Sequence, residues 1–288
     1  MVFLVTSSCM KLDSNLFNKK KLSEYQLDNY TGENDFNLDS TYKINDSLIH
    51  IFTLQSKTNS ESVSKKIYAI YIGRISNINK DTVIMYCHGN KWHMDFYWQR
   101  AKLLANVGGK NNYGVLMVDY RGYGMSDGEP TEDGIYADVD AGLQWLKTNG
   151  LNNNRLAIYG FSLGSSVACE LSANPRSLTP SKIILEAPFA STSVMVQDGS
   201  QLGMPASFFT GAKIDNAEEI KKINQPFMWL HGTNDLFLNI NTHGQVVYNN
   251  YKGQYKEAHK IDGADHGEIP SKYGFKTYSQ AVSTFIRK

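Results

Sequence analysis

Gly160-Phe161-Ser162-Leu163-Gly164 carries the chain's most chemically suggestive spacing. A serine hydroxyl is a poor nucleophile until a base removes its proton. In a G-x-S-x-G turn the serine is lifted out between a strand and a helix. Its hydroxyl then sits beside the unsatisfied N–H groups at the helix start. The flanking glycines make room, because side chains there would collide with the neighbouring strand and helix. The context suits such a turn. Residues 155–160 form an apolar run that reads as a buried strand, and a helical stretch follows over 163–173. As a bare pattern the motif is weak. Its bland reading is a glycine-rich turn with a serine helix cap.

The elements that must carry this serine are legible from periodicity. Residues 82–87, 113–120, 182–186 and 226–230 are further apolar runs of strand length, and 259–261 closes the series. Continuous apolar strands of this kind are covered on both faces. Between them, residues 97–107, 217–223, 244–251 and 279–287 read as helices. Ile135, Val139, Leu143 and Leu146 recur at helical spacing. Residues 47–54 and 66–72 are β-rich and read as an antiparallel lead-in. The expected architecture is α/β, a doubly wound and mostly parallel sheet with antiparallel N-terminal strands. Ligands of such sheets bind beyond the carboxyl ends of the strands. The residues found there are His88-Gly89-Asn90, Asp119, Ser162, Glu186, Asp235 and His266.

His88-Gly89-Asn90, the run from Asp119 through Tyr120-Arg121-Gly122-Tyr123-Gly124 to Gly128, the Ser162 elbow and the late Gly263-Ala264-Asp265-His266-Gly267 occur in one order. In this the chain resembles the α/β-hydrolase superfamily, especially its small-lidded serine hydrolases with H-G-N and D-Y-R-G-Y-G motifs. The resemblance implies the catalytic order serine, acid, histidine. Ser162 is then the nucleophile, His266 the general base and Asp235 the acid that orients it. Glu186, after the preceding strand, is the rival acid, and the resemblance favours Asp235. Asp265 reads as a turn residue. The resemblance also implies an oxyanion hole built from the backbone N–H groups of Asn90 and Leu163. His88 is expected to pack beneath that loop, and Arg121 to brace it.

In this fold specificity often lies in an insertion after the sixth strand, here about residues 189–224. Its apolar residues, with the aromatic loop that follows Asn90, suggest a shallow pocket for short to medium acyl groups. Trp92, Trp98, Phe189, Met204 and Phe208 are the candidate substrate-binding residues. The leading expectation is a carboxylesterase acting on small-molecule esters through an acyl-serine. A peptidase or thioesterase would use the same triad. A catalytically silent binding protein on this fold is the non-enzymatic alternative, although such proteins usually lose a triad residue.

Composition narrows the remaining classes. A 288-residue chain with 41% hydrophobic residues can bury one large core. With 29 Lys plus Arg against 28 Asp plus Glu, the formal charge of +1 supplies no field to gather nucleic acid. No metal or cofactor is called for, since no histidine–carboxylate cluster has ligand spacing. Cys87 and Cys169 lie in apolar runs and read as small buried hydrophobes. Residues 1–40 are set apart as a polar tail or tether, before a hydrolase domain at 41–288. The run 1–9 is too short to span a bilayer. It resembles the end of a bacterial lipoprotein signal, with Cys9 as the lipidated residue. Thr6, however, stands where leucine is usual, and no basic region precedes it. That reading makes a lipid on Cys9 the chain's membrane contact in the cell envelope. The plain reading is the frayed terminus of a cytoplasmic protein. The oligomeric state is open.

Overall fold

The computed structural model describes residues 16–200 and 213–288. Its sheet comprises β1 (Ile49–Ser56), β2 (Lys65–Ile72), β3 (Val83–Cys87), β4 (Gly114–Val118), β5 (Leu156–Phe161), β6 (Lys182–Glu186), β7 (Phe227–Gly232) and β8 (Lys256–Ile261). The spatial order is β1-β2-β4-β3-β5-β6-β7-β8. β2 pairs antiparallel with both β1 and β4, and every later pairing is parallel. This is the expected sheet, an α/β-hydrolase fold with an antiparallel lead-in.

The strand period of two divides the core into two layers. Val83, Met85 and Cys87 point to one face, and Ile84 and Tyr86 to the other. Helices α1 (Trp98–Ala105), α7 (Ile269–Tyr273) and α8 (Phe275–Arg287) cover the second face. Helices α2 (Glu132–Thr148), α3 (Gly164–Ala173) and α6 (Gly244–Asn250) cover the first. Local sequence sets these helices. Thr131 caps α2 by accepting the Gly134 N–H at 3.1 Å, and Glu132 and Asp133 occupy the positive first turn. Ile135, Val139, Leu143 and Leu146 then face the sheet. Cys87 and Cys169 are buried as free thiols.

Two segments that the sequence sets apart also make contact with the body. The described part of the supposed tail is bound to the body. Leu16 and Phe17 join one core layer, Phe36 the other. Lys21 forms a β-bridge with Gly124, and the Tyr25 hydroxyl donates to Asp119 at 2.6 Å. The segment is polar between its anchors, which is why composition reads it as a tail. The expected insertion at 189–224 is described at both of its ends. It starts with α4 (Thr192–Ser200) and returns through α5 (Asn216–Glu219). Ile214, Ile220 and Ile223 are already core residues, and Asn216 donates to the Ser165 hydroxyl at 3.1 Å. Cys9, Met204 and Phe208 lie outside the described residues.

Candidate active site

Ser162 stands between β5 and α3 with φ at 52°, in the left-handed region. For a non-glycine residue this costs on the order of 1–3 kcal/mol, held by the surrounding structure. The neighbouring glycines explain how the turn closes. A Cβ on Gly164 would lie 2.0 Å from the Cys87 carbonyl oxygen, and one on Gly160 would lie 2.5 Å from that of Gly164.

Three distant stretches meet at this turn. His266 Nε2 lies 2.9 Å from Ser162 Oγ, and His266 Nδ1 lies 2.8 Å from Asp235 Oδ2. His266 Nδ1–H donates to the carboxylate, so Nε2 is left as an acceptor for the serine hydroxyl. Asp235 is itself pinned. Its Oδ1 accepts the Leu238 N–H at 2.7 Å and the Phe237 N–H at 3.0 Å. Burial works to raise the Asp235 pKa. Hydrogen bonds from His231 and His266 and the Leu238 N–H outweigh it and hold the carboxyl well below its usual range.

His231 is a site residue that the motifs did not single out. Its Nδ1 accepts the Trp229 indole N–H at 3.2 Å, so its proton sits on Nε2. That Nε2–H faces Asp235 Oδ2 at 3.2 Å and the Leu238 carbonyl at 3.0 Å. The signal in the sequence was the spacing of four between His231 and Asp235, just past β7.

Glu186 is placed elsewhere. It is fully buried and bound by the Arg100 guanidinium and the Tyr159 hydroxyl. Arg100 also donates to Glu33 at 2.8 and 3.0 Å and to the Gly267 carbonyl at 2.8 Å, and it lies over the Phe161 ring. Burial by itself would lower the Arg100 pKa, but Glu186 and Glu33 override it and keep the charge. Burial pushes the Glu33 carboxyl up to about 7 against the pull of Arg100. This cluster underlies the loop that carries His266. Asp265 is a turn residue whose Oδ1 accepts the Leu236 and His266 N–H groups.

The Asn90 and Leu163 N–H groups donate to no protein acceptor among the described residues. Both residues line space beside Ser162. The H-G-N loop is fixed from several sides. Asn90 Oδ1 accepts the Tyr123 hydroxyl at 2.6 Å and the Asn18 N–H at 3.0 Å. Its Nδ2 donates to the Leu16 carbonyl at 2.6 Å. His88 packs beneath, stacked on Tyr120, whose hydroxyl donates to the His88 carbonyl at 2.8 Å. Arg121 braces the next loop through Asp138 and Glu61. Among the described residues, no cluster of three or more His, Cys, Asp or Glu is arranged to hold a metal ion.

A cavity of about 510 Å³ opens over Ser162 and His266, with Glu33, Asp35, Trp92 and Phe161 in its walls. A smaller apolar recess of about 60 Å³ meets it at Ser162. Trp92 lines the first and Phe189 the second. Trp98 lines neither: it is wholly buried at the start of α1, and its indole N–H donates to Asp28 at 2.9 Å. The aromatic run around it changes from loop to helix, which turns Trp98 into the core.

The chain is similar to several known proteins. Residues 78–216 match the family model described as serine aminopeptidase, S33. The chain is 28% identical over 211 residues to human alpha/beta hydrolase domain-containing protein 17B, covering 72% of this chain and 67% of the relative. With mouse protein 17C it shares 27% identity over 206 residues, covering 70% of this chain and 59% of the relative. An esterase of Pyrococcus furiosus superposes with a TM-score of 0.65 at 18% identity, over 92% of this chain and 98% of the other. An esterase of Exiguobacterium antarcticum gives 0.59 at 18% identity, over 82% and 99%. The sheet order, the serine elbow and these matches together give the chain the α/β-hydrolase fold.

Proposed function

We propose that the protein is a serine carboxylesterase acting on short to medium acyl esters. The observation that carries this reading is the hydrogen-bonded series Ser162–His266–Asp235 beside two unengaged N–H groups at the junction of two cavities. In the proposed reaction Ser162 Oγ attacks the ester carbonyl carbon while its proton passes to His266 Nε2. The carbonyl electron pair moves onto oxygen, where Asn90 N–H and Leu163 N–H receive the charge. Each such donor is worth about 3 kcal/mol. Asp235 stabilises the imidazolium. Collapse expels the alcohol, which takes the proton from Nε2, and leaves an acyl-serine. Water, deprotonated by the same nitrogen, releases the acid.

Two features bear on the leaving group. The matched family model is named for an aminopeptidase, and the larger cavity carries carboxylates at Glu33 and Asp35. Glu33 is committed to Arg100, which leaves Asp35 alone to receive a substrate ammonium. We therefore place ester cleavage ahead of amide cleavage. A panel of esters, thioesters and aminoacyl amides tests this. Esters should exceed aminoacyl amides by at least about 100-fold in kcat/KM, or about 2.7 kcal/mol. Faster turnover of amides or thioesters would replace the ester assignment.

A further inference from the structure

Ser162 sits where two spaces of different character meet, and the catalytic groups divide them unequally. The larger cavity is lined by His266 and Gly267 as well as by Asn90 and Ser162, with Glu33, Asn34, Asp35 and Lys91 at its polar walls. The smaller recess is lined by Asn90, Ser162 and Leu163 and closed by Leu16, Phe189, Met195 and Leu238. Phe237 borders both and stands edge-on to the His266 ring, with centroids 5.1 Å apart.

The chemistry assigns an occupant to each space. The leaving group must depart toward the nitrogen that protonates it, so it lies on the His266 side. The acyl chain remains on Ser162 with its carbonyl oxygen at Asn90 and Leu163, and must extend away from the imidazole. Among the described residues, the space touching the oxyanion donors without touching His266 is the small apolar recess. Building on the serine-esterase reading above, we propose that this recess is the acyl site and that Leu16 sets its depth. The substrates are esters of a short acyl group with a bulky, polar alcohol.

Size supports the assignment. An apolar cavity of about 150 Å³ accommodates a benzene ring. A recess of about 60 Å³ therefore takes about two to four carbons beyond the carbonyl. Position supports Leu16. It precedes the matched region at 78–216, yet it is 8% exposed and its carbonyl is held by the Asn90 side chain at 2.6 Å. The strap thus fastens to the oxyanion loop through its backbone, and Leu16 lines the recess. Shortening its side chain deepens the recess without removing the hydrogen bond.

The test compares the full chain with Leu16→Ala and Met195→Ala, each of which shortens a residue that lines the recess. Substrates are p-nitrophenyl acetate, butyrate and octanoate, then the butyrate of the bulkier 4-methylumbelliferol. The wild type should prefer acetate or butyrate to octanoate by at least about tenfold. Each enlarged variant should raise the octanoate-to-butyrate ratio about tenfold, since each added buried methylene contributes about fourfold. The bulkier alcohol should change wild-type kcat/KM by less than about threefold. A wild type that prefers octanoate, or a ratio unmoved in a cooperatively folded variant, overturns the assignment. So does a large loss with the bulkier alcohol. If Leu16→Ala does not fold, Met195→Ala decides. Failure of a fluorophosphonate to label wild-type Ser162 would instead refute the serine reading itself.

Discussion

Replacing Arg100 with methionine tests whether the cluster under the histidine loop holds the site together. Arg100 is buried with its side chain 3% exposed, between Glu186 at 0% and Glu33 at 10%. Methionine keeps much of the packing on Phe161 and Phe36 and removes the charge. Glu186 then retains only the Tyr159 hydroxyl, and the Gly267 carbonyl loses its guanidinium donor. Breaking a buried pair by deleting one partner costs about 3–5 kcal/mol, because a charge is stranded. For a chain of this size about 2–3 °C accompanies each kcal/mol, so the melting midpoint should fall by roughly 6–15 °C. Urea denaturation followed by circular dichroism measures the same loss. Adding Glu186→Gln to Arg100→Met should recover part of it, since the stranded charge is then gone. Below the melting range kcat should fall more than KM rises, because the loop after His266 is less firmly held. A loss under about 1 kcal/mol, with no recovery in the double variant, would refute the argument.

Glu33 gives the cluster a pH dependence. Its folded pKa is raised from 4.5 to about 7, so the folded chain holds a proton that the unfolded chain releases. This contribution is complete below the unfolded value and is lost as pH rises through about 7. Glu33→Gln should therefore flatten the decline in stability between pH 5 and 8, checked by thermal melts across that range; an unchanged slope would contradict the shift. His231→Phe removes a donor from the Asp235 carboxylate but keeps a ring in the buried site. A hydrogen bond to a charged group is worth about 1.5–3 kcal/mol, so kcat should fall about 10–100-fold with little change in KM, measured on p-nitrophenyl butyrate.

What the sequence made legible is what local sequence determines. The serine elbow needs glycine at two fixed offsets, because Gly160 and Gly164 touch backbone, and that requirement is visible as a motif. Asp235 and His266 each follow a strand that periodicity reveals. Asn90 is marked by its own short motif. Arg100 and Glu33 carry no such mark: they are 67 residues apart, and each reads as an ordinary surface charge until the chain is folded. Leu16, Phe17 and Phe36 were hidden for a related reason. Three apolar anchors in a polar stretch have no period, yet each fills a gap that other elements leave. Trp98 shows the converse error, since an aromatic near the pocket in sequence is directed to the core by the helix it begins.

In the proposed reaction His266, oriented by Asp235, makes Ser162 nucleophilic. The most direct measurement is mass spectrometry of the native chain after brief exposure to a fluorophosphonate, alongside His266→Ala and Asp235→Asn. One phosphonylated peptide is expected, bearing the adduct on Ser162, with labelling slowed at least about 100-fold in both variants. An unmodified Ser162 in folded protein, or labelling at equal rates without the imidazole, would contradict it.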